Sequence, residues 1–72
     1  MSDYDSKKVD YGFMVIGAYA REHGLSRKES FNQLVECGGI QALDEFYDIE
    51  HTLPLAQTID DLTSLYARTA SS

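Results

Sequence analysis

The stretch Tyr47-Asp-Ile-Glu-His-Thr52 gathers a phenol, two carboxylates, an imidazole and a hydroxyl in one short segment. An aspartate three residues before a histidine resembles half of a catalytic triad. In that role Asp48 would hold the His51 ring in one tautomer while the second ring nitrogen takes a proton. The pair needs a nucleophile, for which the chain offers Ser26, Ser30, Thr52 and Cys37. No spacing selects among these four, and no glycine-framed elbow presents a serine or cysteine. The competing reading is structural, since short polar side chains close turns by bonding exposed backbone groups. It is the preferred one. Tyr47 is expected beside the core, Asp48 and Thr52 at the backbone of two helix ends, and His51 packed or bonded locally.

Other chemistry is thinner. Cys37 precedes two glycines at an expected helix C-terminus, where the macrodipole disfavours a thiolate, so it reads as a small buried apolar residue. No Glu-x-x-His pair stands on a helix to build a metal site, and no cofactor is expected. The Cys37-Gly38-Gly39 step follows a helix and lacks the lysine of a phosphate-binding loop. With named roles for nucleophile, base and stabiliser unfilled, the chain is not expected to be an enzyme. Asp44, Glu45, Asp48 and Glu50 are a more serious group, with no base among them. They read either as solvated surface or, together with Tyr47 and His51, as a landing patch for a basic protein partner.

Twelve acids against six bases give a net charge of −6 and a pI near 4.5. That field repels phosphate backbones, so no nucleic-acid partner is expected. The opening Met1–Gly12 is polar and no run approaches the ~20 apolar residues of a membrane span, which points to the cytosol and to no membrane partner. A chain of 72 residues holds one domain whose core rarely supplies more than ~3–5 kcal/mol. Cys37 has no second cysteine to pair with. Extra stability is therefore expected from a partner, either a cognate protein or a second copy in a homodimer.

The elements that must position these residues are helices. Residues 1–6 and 69–72 read as frayed ends of a single helical domain. Val9, Phe13, Ile16 and Ala20 recur at helical spacing, widened by Met14 and Tyr19, and predict a first helix with that stripe buried. Gly12 and Gly17 are costly inside it and suggest close approach of a crossing helix. Arg21 and His23, then Gly24, mark its end. Ser26-Arg-Lys-Glu29 matches a capping box, and Phe31, Leu34 and Val35 mark the buried stripe of a second helix that Gly38-Gly39 ends. Ile40, Leu43, Phe46 and Tyr47 predict a short third helix stopping at or before Asp48. Leu55, Ile59, Leu62, Leu65 and Tyr66 line a fourth, started by Thr52 and Pro54 or, alternatively, at Thr58. The expected fold is all-α, a small bundle of about four short helices.

These same residues carry a resemblance. Tyr19-Ala20, the Gly24–Glu29 junction, Ile40–Leu43, Tyr47-Asp-x-x-His-Thr52 and Asp61-Leu62 are similar to the pattern of the DUF3791 family of short bacterial proteins. The likeness extends from Phe13 to Tyr66, and the Tyr-Asp-x-x-His-Thr stretch is its most specific part. The chain departs from the pattern at Val15–Gly17, at Cys37–Gly39 and at Pro54. The resemblance implies no established activity. Members are often encoded beside putative toxins, including a family resembling ADP-ribosyltransferases, which implies an antitoxin or accessory component that binds a cognate toxin-like protein.

Overall fold

Gly24 sets the first turn of the chain. Its φ of +64° lies where a side chain would strain the backbone, and it lets two N–H groups turn back onto the helix end. Leu25 N–H donates to Ala20 O at 2.8 Å and Gly24 N–H to Arg21 O at 3.4 Å, the paired bonds of a Schellman stop. The helix so ended is α1, Asp3–His23. The computed structural model describes residues 3–71, and among them five helices and no strand.

α1 begins well before Val9. Residues 3–6, read from the sequence as a frayed lead-in, open the helix, with Asp3 and Asp5 at its positive end. A distant contact adds to this: the Tyr4 ring meets the Tyr47 ring edge to face, centroids 5.6 Å apart. Residues 69 and 70 belong to the last helix, while residues 1, 2 and 72 of the expected frayed ends lie outside the described residues.

α2, Arg27–Glu36, starts on the expected capping box. Glu29 N–H donates to Ser26 Oγ at 3.1 Å, and Ser26 N–H donates to Glu29 Oε1 at 3.0 Å. The bonds from Ser26 hold the Glu29 carboxyl below its ordinary pKa. The two glycines after α2 have separate duties. Gly38 turns left-handed at φ +77°, whereas Gly39 opens α3, Gly39–Glu45, and allows close approach. A Cβ on Gly39 would sit 3.1 Å from both Leu34 Cδ2 and Leu62 Cδ2.

The expected third helix is two. It breaks at Phe46, whose φ of −105° and ψ of 20° leave the helical region, and resumes as the single turn α4, Tyr47–Glu50. Pro54 then precedes α5, Leu55–Ala70. Thr52 does not cap α5. Its hydroxyl donates backwards to Ile49 O at 2.7 Å, which ties off α4 instead.

The core combines Val15, Ala18 and Tyr19 of α1 with Leu34 and Cys37, Leu43, and Ile59 and Leu62 of α5. α1 is the spine against which α2, α3 and α5 pack. The crossing with α2 is close enough for the buried Ser30 hydroxyl to donate to Ile16 O at 2.9 Å. The stripe expected inward on α1 is only partly so: Ala20 is buried and Ile16 half-buried, but Val9, Phe13 and Met14 are exposed. On α2, Leu34 is buried while Phe31 and Val35 face outward. The core face of α1 is the adjacent stripe Tyr11, Val15, Ala18 and Tyr19, because that is where α5 docks: Tyr11 Oη and Thr58 Oγ1 are 3.2 Å apart.

Gly12 makes no close approach, since a Cβ there meets nothing within 4 Å. Gly12→Ala is therefore expected to stabilise the domain by roughly 0.5–1 kcal/mol, the helix-interior cost of glycine. A raised melting temperature by circular dichroism checks this, and an unchanged or lowered one contradicts it.

Candidate functional site

Tyr47 anchors the Tyr47–Thr52 stretch. At 7 % exposure its ring lies edge to face with Tyr11, centroids 5.5 Å apart, as well as with Tyr4. The His51 ring stacks on it at 4.5 Å with 13° between the planes. Such pairs add to plain area burial. His51 Nδ1 lies 2.6 Å from Tyr47 O. A carbonyl oxygen can only accept, so Nδ1 carries the proton.

Asp48 and His51 are not a pair. Asp48 Oδ1 accepts from Tyr4 Oη at 2.8 Å, and this hydrogen bond raises the Tyr4 phenol above its usual pKa. The expected backbone role of Asp48 is replaced by a side-chain bond to the start of α1. Glu50 points the other way. Its Oε2 accepts from Thr58 Oγ1 at 3.1 Å, and since that hydroxyl has one proton to give, Tyr11 Oη donates to Thr58 in turn. Burial pushes the Tyr11 phenol up, with the nearby Glu50 and Tyr47 adding to it. The chain Tyr11–Thr58–Glu50 thus joins α1, α5 and α4.

The four hydroxyl and thiol candidates have local partners. Ser26 caps α2, Ser30 donates to Ile16 O, Thr52 to Ile49 O, and the buried Cys37 Sγ lies 3.7 Å from Leu34 O. None of these bonds involves His51. Among the described residues no group of three or more His, Cys, Asp or Glu side chains is placed to hold a metal ion.

Three of the acids of the expected patch are held by different partners. Asp44 forms an ion pair with Lys8 at 2.8 Å, Asp48 holds Tyr4 and Glu50 holds Thr58. Glu45 stays on the exposed surface of α3.

The surface that sequence reasoning missed is apolar. Val9 and Phe13 of α1 and Phe31 of α2 surround a hollow of about 350 Å³, floored by Ile16, Ile40 and Leu43. Val35 is one helical turn beyond Phe31 on the same face of α2. Phe13 is 61 % exposed and Val35 52 % exposed. Single exposed apolar side chains are ordinary, whereas a contiguous group around a recess is less so. The signal was present in α1, which carries two apolar stripes where a surface helix needs one.

No helix among the described residues is long and apolar enough to cross a membrane. No curated protein and no solved structure matches the chain. A family model described as "Protein of unknown function (DUF3791)" matches residues 10–68, which takes in the hollow apart from Lys8 and Val9, the Tyr47–Thr52 turn and most of α5. The chain belongs to the DUF3791 family.

Proposed function

We propose that this chain is a protein-binding module that accompanies or neutralises a cognate protein, in the manner of an antitoxin or accessory component. The apolar surface around Phe13 and Phe31 carries this reading: a small domain that leaves such a group exposed gains stability when a partner covers it. The test is co-expression with the protein encoded beside it. A complex is expected that melts higher than the free chain. Phe13→Ser with Val35→Ser is expected to leave the melting of the free chain nearly unchanged, because both side chains are largely in solvent, yet to abolish co-purification. A neighbour that forms no complex, or a complex indifferent to both substitutions, defeats the reading.

The second reading is a homodimer built on the same exposed surface. It requires sedimentation of the purified chain well above 8.1 kDa, and loss of that species in the Phe13→Ser variant.

A further inference from the structure

The charges around the apolar hollow are unlike those of the chain as a whole. Lys8 lines it on one side. On the other side Phe13 is shared with a second, adjoining recess lined by Arg21 and Arg27. Arg27 lies across Gly17, its Nη2 3.3 Å from where a Cβ on that glycine would be, so the glycine makes room for a guanidinium beside the apolar surface. Lys28 stands three residues before Phe31 and shares its face of α2. Four of the six basic residues therefore border the exposed aromatics. Asp44 is the one acid lining either recess, and Lys8 already binds it. By the spacing that places Lys28 beside Phe31, Asp10 stands beside Phe13, which leaves four cations against two acids. Arg21, Arg27 and Lys28 have no carboxylate partner among the described residues.

Resting on the protein-binding reading, we infer that this hollow receives an acidic amphipathic helix of the partner protein. Its apolar stripe covers Phe13 and Phe31, and its carboxylates face Arg21, Arg27 and Lys28. A recess between helices suits a helix laid into a groove. At physiological salt the screening length is about 8 Å, so acids at the far end of a molecule 37 Å long are felt weakly here. Charge complementarity of this kind sets partner choice and association rate. A second copy is the poorer occupant, because pairing this surface with itself would bring the same cations together. An anionic bilayer is a poorer one still, being flat where this surface is recessed.

The test uses two synthetic amphipathic peptides with the same leucine stripe, one flanked by glutamates and one by lysines. Each is titrated into the isotope-labelled full chain and followed by amide chemical shifts. The glutamate peptide is expected to saturate and to move Val9, Gly12, Phe13 and Phe31, with the lysine peptide at least about tenfold weaker. The double change Arg27→Glu with Lys28→Glu places acids in the first turn of α2, where the helix dipole tolerates them, so the fold is kept. That variant is expected to reverse the preference.

Equal binding of the two peptides, no binding of either, or shifts centred on another face overturns the inference. So does a chain that dimerises through Phe13, or one that binds phosphatidylglycerol vesicles in preference to the glutamate peptide. The two readings fail separately. A complex with the neighbouring protein that survives Arg27→Glu with Lys28→Glu removes this assignment and leaves the module reading standing.

Discussion

Tyr47→Ala is expected to leave the domain largely unfolded at room temperature. The ring is buried and fills the space between Tyr4, Tyr11 and His51, so its loss opens a cavity that three other rings cannot close without leaving their own contacts. Truncating a buried aromatic to alanine costs about 3–5 kcal/mol. A domain of this size rarely has more than ~3–5 kcal/mol to lose. Tyr47→Phe is the control. The Tyr47 hydroxyl has no hydrogen-bond partner among the described residues, so phenylalanine keeps every ring contact and is expected to melt close to wild type. Circular dichroism of the three proteins decides the matter. A folded Tyr47→Ala protein would mean that the aromatic cluster is peripheral to stability.

Leu34→Ala and Val35→Ala are expected to differ sharply although the residues are neighbours. Leu34 has 0 % exposure and belongs to the core beneath Gly39, whereas Val35 is more than half exposed. The first substitution is expected to cost about 2–5 kcal/mol through lost burial and an unfilled cavity. The second removes mostly solvated surface and is expected to cost no more than ~0.5 kcal/mol. Chemical denaturation at constant slope measures both. Similar losses in the two variants would place Val35 in the core and remove the exposed apolar face of α2.

This contrast shows where the sequence is legible. The interactions read correctly are local: the Ser26–Glu29 box spans three residues and the Gly24 stop is a short-range backbone pattern. The burial of Tyr47 and the all-α class follow from helical spacing. What the sequence does not reveal is set by distant neighbours. Tyr4 and Asp48 are 44 residues apart, and Tyr11 and Thr58 are 47 apart. Helical spacing finds both stripes of α1 but carries no information about which one α5 will cover. The individual partners of the acids are unreadable for the same reason, because Lys8, Tyr4 and Thr58, which hold Asp44, Asp48 and Glu50, are all brought to them by the fold.

α1 has one more consequence. At 21 residues it extends for roughly 31 Å, and one side of it is already fixed by the core. Val9 and Phe13 are thus held on an ordered rod before anything touches them. A ligand settling there does not have to pull a loose segment into shape, so its affinity is not reduced by the ordering entropy that coupled folding exacts. The heat-capacity change on association should then match the apolar area covered at the contact alone, with none of the excess that a folding transition adds.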